Sequence, residues 1–166
     1  MSPLLAGKIE ALNIPGVGAQ QESKRFYPAA EVASHVVGFT NIDEQGIEGV
    51  ELAFDDWLKG TPGKGRMVKD RLGRLVKDLG VQKPALHGNE LMLSIDLRLQ
   101  YQAYRELKAS VQQQGAKAGS LIMVDVTSGE ILALVNQPAF NPNNRSHLNA
   151  DAVRNRTVTD IFEPGS

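Results

Sequence analysis

The run Ser120-Leu121-Ile122-Met123-Val124-Asp125-Val126, the turn Thr127-Ser128-Gly129 and the run Ile131-Leu132-Ala133-Leu134-Val135 decide how this chain is read. Both arms are almost wholly apolar, and the turn between them is short and polar. That pattern predicts an antiparallel hairpin buried on both faces. An apolar hairpin is not a finished sheet, because its faces and edges need further strands or a covering helix. Just upstream, Leu97, Tyr101, Tyr104, Leu107 and Val111 repeat at helical spacing until Gly115, which predicts a helix over 97–114 with one apolar face. Asp96 is placed to cap its N-terminus, and Glu90 to Ile95 reads as a strand. This helix can cover one face of the hairpin, and no later stretch supplies another strand. The second half therefore reads as the opening of a larger domain.

The first half reads as short elements. Residues 3–12 predict a short amphipathic helix, residues 17–27 an extended polar stretch, and Glu31 to Val36 a second short helix stopped by Gly38. Ile47 to Leu58 predicts a single helix that ends at Gly60 and Pro62, with Phe54 and Trp57 in the core and Glu48 and Glu51 on a wet face. Residues 65–78 alternate around Arg71-Leu72-Gly73-Arg74, the pattern of a hairpin. Its basic residues (Lys64, Arg66, Lys69, Arg71, Arg74 and Lys77) fit a wet face better than a binding patch. Pro84 to Gly88 reads as a connector, and the domain boundary is placed there. After the apolar hairpin, Pro138 to Asn149 is a polar loop, followed by a short helix at 150–158.

The chain has 166 residues, 42% hydrophobic and 22% charged, with a net charge of −1, so one or two small packed domains are expected. The even charge balance gives no reason to expect a nucleic-acid partner. Absence of cysteine excludes disulfides, thiolate metal sites and cysteine nucleophiles. His35, His87 and His147 lack metal-ligand spacing and are assigned no role; no cofactor or metal site is expected. No apolar run approaches the ~20 residues that span a bilayer, and Met1 to Lys8 is not a signal peptide.

The end of the sequence, Arg154-Asn155-Arg156-Thr157-Val158-Thr159-Asp160-Ile161-Phe162-Glu163-Pro164-Gly165-Ser166, carries the candidate chemistry. Pro164-Gly165 allows a sharp entry to a helix whose first-turn N–H groups would stabilise a developing anion beside Ser166. A serine hydroxyl needs a neighbouring base to act as a nucleophile, and none is visible nearby. Several further segments occur in order: Arg25-Phe26-Tyr27-Pro28 with Glu31 and Val37-Gly38-Phe39-Thr40; Gly46-Ile47-Glu48-Gly49-Val50-Glu51 with Phe54 and Leu58; Lys69-Asp70-Arg71-Leu72-Gly73-Arg74; Leu93-Ser94-Ile95-Asp96 with Leu99-Gln100; Asp125-Val126 through Gly129-Glu130-Ile131-Leu132-Ala133; and Phe140-Asn141-Pro142-Asn143-Asn144. Together with residues 154–166 they resemble the division-type class B penicillin-binding proteins, the FtsI-type peptidoglycan D,D-transpeptidases.

The resemblance implies an α+β chain. Residues 1–83 would be a non-catalytic pedestal, a dimerisation-like domain of short helices and strands whose N-terminal part is missing. Residues 84–166 would be the opening helix and β-hairpin of an incomplete transpeptidase domain, truncated at the nucleophile. Ser166 would attack the penultimate D-alanine of a peptidoglycan stem peptide, release the terminal D-alanine and form an acyl-enzyme, which an amine of a neighbouring stem peptide resolves into a cross-link. The family's activating lysine, three positions after the serine, its Ser-x-Asn triplet and its Lys-Thr-Gly strand would all follow residue 166, so the chain alone is expected to be inactive. The implied partners are stem peptides and lipid-linked precursors, β-lactams, and divisome proteins including a septal glycosyltransferase. The implied location is the periplasmic face of the bacterial inner membrane, with an anchor upstream of Met1.

Two other readings stay open: a non-catalytic interaction module that docks division partners, and a β-lactam-sensing relative. Arg154 and Arg156 either pin the loop before the serine through Asp160 or Glu163, or lie on a solvated helix face. Asn141, Asn143 and Asn144 are expected in Asx-type turns. Residues 1–83 are expected to fold better alone than residues 89–166.

Overall fold

Asp96 turns its carboxylate onto the N–H groups of Arg98 (2.8 Å) and Leu99 (3.3 Å), capping a helix as the sequence predicts. A computed structural model describes residues 2–12, 14–17, 25–146, 148–161 and 163. In chain order the elements are α1 (Pro3–Glu10), a 3-10 turn (Ala30–Ala33), α2 (Ser34–Val37), α3 (Gly49–Ala53), α4 (Asp55–Leu58), β1 (Lys64–Lys69), β2 (Leu75–Lys83), α5 (Leu97–Gln113), β3 (Gly119–Val124), β4 (Ile131–Gln137), α6 (Ala150–Val153) and α7 (Arg156–Thr159). Most of the predicted extended stretch at 17–27 lies outside the described residues.

Helix α5 lies on the β3–β4 hairpin. Ala103, Ala133 and Val135 are buried between them, with Leu99, Tyr104, Leu107 and Leu121 packed around. The inward stripe thus runs through Leu99, Ala103 and Leu107, whereas Leu97 and Tyr101, expected on that face, are exposed. The large residues misled the reading because a close helix–sheet approach favours alanine. Glycine at 119 permits the same approach: a Cβ there would meet Val111 Cγ2 at 2.7 Å.

Strands β3 and β4 pair antiparallel from Gly119↔Gln137 to Met123↔Ala133, with a bulge before Val124↔Ile131. They are not equally buried. β4 is buried from Ala133 to Gln137, but Ile122, Met123 and Val124 of β3 are partly exposed, contrary to the expectation for both arms. No strand borders β3 on its outer side among the described residues. The outer edge of β4 is closed by a side chain. Gln100 of α5 accepts from Leu134 N–H (2.8 Å) and donates to Leu134 O (2.7 Å), as a neighbouring peptide would. The same Nε2 donates to Val32 O (2.7 Å), and Asp96 N–H reaches Leu132 O (3.0 Å). Residues 90–95 do not form the predicted strand. Their ties to β4 among the described residues are point contacts such as Ser94 Oγ to Ile131 O (2.7 Å), because Gln100 and Asp96 already occupy the ladder positions of that edge.

In the first half, the turn and α2 end at Gly38 as predicted. Its φ is +76°, and a Cβ would fall 1.7 Å from Glu48 O. The helix expected over 47–58 is two pieces joined at Phe54, whose φ and ψ of −121° and 26° leave the helical basin. The break lets Asp55 accept from Gly46 N–H at 2.7 Å. Phe54 and Trp57, expected in the core, are 45% and 51% exposed. Glu51, expected in water, is buried and held by Arg25 through two bonds of 2.9 and 2.8 Å. Periodicity could not foresee a partner 26 residues away. Strands β1 and β2 form the predicted hairpin, closed by Asp70 accepting from Leu72 and Arg74 N–H, but apolar Met67, Val76 and Val81 are as exposed as the basic residues.

The aromatic cluster of the first half, Tyr27 and Phe39, is completed by Phe140 from the second. Residues 1–83 therefore do not own their core, and the expectation that they fold better alone is not supported.

Replacing Gln100 with Leu strands the N–H and C=O of Leu134, at about 1–3 kcal/mol each. Urea denaturation of Gln100→Leu is expected to show a loss above about 2 kcal/mol; a loss near zero would mean that water satisfies this edge. Arg25→Ala strands the buried Glu51 carboxylate and is expected to cost about 1–3 kcal/mol, towards the lower end because Arg25 is half-exposed. Glu51→Gln, which leaves a neutral amide against Arg25, should cost less in the same assay.

Candidate active-site approach

The segment leading to the candidate nucleophile is built from short pieces held by side chains. The helix expected over 150–158 is broken between α6 and α7 at Arg154 and Asn155. Asn149 caps α6 by accepting from Asp151 N–H at 3.0 Å. Asn155 occupies the equivalent position before α7 but does not cap it. That role falls to Asn136 of β4, fully buried at 0% exposure, whose Oδ1 accepts from Thr157 N–H (2.8 Å) and Thr157 Oγ1 (2.7 Å). The same oxygen accepts from Ser120 Oγ (2.7 Å), and Asn136 Nδ2 donates to Asn155 Oδ1 (2.8 Å). Asn155 Nδ2 in turn donates to His35 O of α2 (3.3 Å). This chain of amides accounts for the break, since a continuous helix would carry Asn155 away from both partners.

Of the two roles open to Arg154 and Arg156, pinning is the one observed, and the carboxylate is Asp160. Arg154 Nη2 lies 2.6 Å from its Oδ1 and Arg156 Nε 4.0 Å from its Oδ2, while Arg156 also pairs with Asp151 at 3.4 Å. Glu163 takes no part in these pairs among the described residues. Asn141 makes the expected local turn, accepting from Asn143 N–H at 2.9 Å, and Asn144 accepts from Ser146 Oγ at 2.8 Å. Asn143 departs from expectation: its amide accepts from Tyr27 N–H (2.9 Å) and donates to Tyr27 O (2.8 Å), reading the backbone of the first half as a strand would. Arg145 donates to Thr40 O, and the Tyr27 hydroxyl accepts from Thr40 N–H at 3.0 Å.

His35, to which the sequence assigned no role, is buried with Nε2 at 2.8 Å from Ala152 O and its ring edge-on to Phe140. With Ala152 O as partner, Nε2 is the donor. Burial pushes the imidazole pKa below its usual value; nearby Arg156 lowers it further, against the Ala152 hydrogen bond. The ring is therefore neutral at pH 7. His147 and the candidate nucleophile Ser166, with Pro164 and Gly165, lie outside the described residues.

Sequence reasoning missed Asn136, Asn155, Gln100 and His35 as organising groups. One signal was present: Asn136-Gln137 continues an otherwise apolar strand with amides, and an amide in a buried strand must find partners.

Residues 6–93 match the Penicillin-binding Protein dimerisation domain, and residues 119–166 match the Penicillin binding protein transpeptidase domain. The chain belongs to the penicillin-binding proteins, with a dimerisation domain followed by transpeptidase-domain residues. It is 50% identical over its whole length to the peptidoglycan D,D-transpeptidase FtsI of Escherichia coli K12 and 45% identical to the probable peptidoglycan D,D-transpeptidase PbpC of Pseudomonas aeruginosa PAO1. It spans 28% and 29% of those proteins, less than a third of their length. A crystal structure of a peptidoglycan synthetase from Bifidobacterium adolescentis superposes on all of the chain and 30% of its own, with a TM-score of 0.67 and 25% identity. No helix among the described residues is long and apolar enough to cross a membrane.

Because His35 is held below its unfolded pKa, the unfolded state binds the extra proton, and stability falls as pH drops below about 6.5. Denaturation midpoints are expected to decrease from pH 7.5 to 5.5 in the wild type. His35→Gln should start less stable and show a flatter profile over that range; an equally steep profile would assign the pH dependence elsewhere.

Proposed function

We propose that Ser166 is the acyl-ester nucleophile of a peptidoglycan D,D-transpeptidase. The observation that carries this reading is the transpeptidase-domain match, which runs through residue 166, together with 50% identity to a protein named for that reaction. In the proposed mechanism Ser166 Oγ adds to the carbonyl of the penultimate D-alanine of a stem peptide. The bond to the terminal D-alanine breaks, and that residue leaves with the proton as a free amine. The acyl group is then passed to an amine of a second stem peptide, which forms the cross-link and restores the serine. A β-lactam, as a mimic of the D-alanyl-D-alanine end, would remain on Ser166 as an acyl adduct.

The division between pedestal and transpeptidase parts near residues 83 and 84, the septal setting, the periplasmic face of the inner membrane with an upstream anchor, and contacts with divisome proteins including a glycosyltransferase belong to the same proposal. So does the inactivity of residues 1–166 alone, since the serine's activating lysine would lie past residue 166. A second reading, a docking module for division partners, is favoured by the partly exposed Leu52, Phe54 and Trp57 on α3, α4 and the break between them.

The test is labelling by a fluorescent penicillin, followed by mass spectrometry of the adduct. A protein carrying these residues at the relatives' full length is expected to label at Ser166, with labelling abolished in Ser166→Ala. Residues 1–166 alone are expected to remain unlabelled. A full-length protein that does not label would leave the docking reading in possession.

A further inference from the structure

We infer that Asn136 is a positioning residue for acylation, fixing the segment that delivers Ser166 by capping α7 from the sheet; this rests on the transpeptidase reading above. The Thr157 N–H that Asn136 receives belongs to the first turn of α7, where an amide normally finds a cap at the residue just before the helix. Asn155 stands at that residue and is chemically suited to the task, yet its side chain is used elsewhere. The cap has been moved to a strand remote in sequence. A local cap would fix only the shape of α7; a cap from β4 also fixes where α7 lies relative to the sheet.

The displaced Asn155 extends the tether. It receives Asn136 Nδ2 on one side and donates to His35 O of α2 on the other, so sheet, approach segment and first half meet in one line of amide bonds. Beside this line the first half and β4 are not in full contact. A cleft of about 290 Å³ lies between them, lined by Val36, Val50, Leu93, Ile131, Leu134 and Asn155. Apolar packing is thus incomplete on the side of Asn155 that faces the cleft, and the amide line supplies a directional restraint there. The Arg154–Asp160 pair closes the approach segment on itself and does not attach it to the sheet.

Thr157 stands nine residues ahead of Ser166 in sequence, and α7 is the last helix before it among the described residues. A displacement of about 1 Å at a reacting group can cost on the order of a hundredfold in rate. The signature of a positioning residue is a lower acylation rate constant with little change in the preceding non-covalent binding of the β-lactam.

The experiment uses the full-length protein and measures the two constants of penicillin acylation by stopped flow, alongside thermal unfolding. Asn136→Ala is expected to lower the acylation rate constant about ten- to a hundredfold with the binding constant within about twofold. Asn136→Asp keeps the acceptor towards Thr157 but cuts the bond to Asn155 and buries a carboxylate, so its rate should fall between those of Asn136→Ala and the wild type. Should Asn136→Ala not fold, Asn155→Ala cuts the same line at a half-buried position and is expected to reduce the same constant. An unchanged rate constant in the folded variant overturns the inference, as does a loss matched by weaker binding or no recovery in Asn136→Asp. In all of these the wild type labels and Ser166→Ala does not; a wild type that fails to label overturns the transpeptidase reading itself, and this inference with it.

Discussion

Strand β4 is buried from Ala133 to Gln137, and the requirement to satisfy its polar groups away from water organises the molecule around it. Its backbone turns outward at Leu132 and Leu134, where Asp96 and Gln100 meet it. Its side-chain amide at Asn136 meets β3, α7 and, through Asn155, α2. Among the described residues one polar side-chain atom breaks the pattern: Gln137 Nε2 is buried with no partner there. The apolar clusters supply area, but the amides decide which element lies against which.

The same economy of contact joins the two halves. Tyr27 exchanges paired bonds with Asn143, Thr40 receives Arg145, His35 reaches Ala152, and Tyr104 donates to Glu31 at 2.6 Å. Each pair spans a long sequence separation, and most use a side chain to bind a backbone group. Directional bonds of this kind specify one orientation, whereas apolar surfaces of similar size tolerate sliding. The dimerisation domain is thus keyed to the transpeptidase residues that precede Ser166, with Phe140 clustered with Tyr27 and Phe39 in a shared core.

Such an arrangement fixes the short helices of residues 150–159 against the rest of the molecule. Short helices have little stability of their own, and α6 and α7 are each a single turn. Their geometry is imposed by Asn149, Asn136 and the Arg154–Asp160 pair rather than by helix propensity.

Local features were legible in the sequence because their causes are local. The Asp96 cap, the course of α5, the 125–130 turn, the Asp70–Arg74 hairpin turn and the Gly38 stop each depend on residues within one or two turns of chain. The pattern of motifs from Arg25 to Ser166 was likewise enough to identify the family. What the tertiary structure alone decided is which buried positions are polar: Gln100 inside the helix face, Glu51 under Arg25, His35 against Ala152, Asn136 beneath α7. The breaks in the helices expected over 47–58 and 150–158, at Phe54 and at Asn155, belong to the same class. Periodicity registers hydrophobicity along one element, while a buried amide or carboxylate is stable only through a partner that folding brings from elsewhere in the chain.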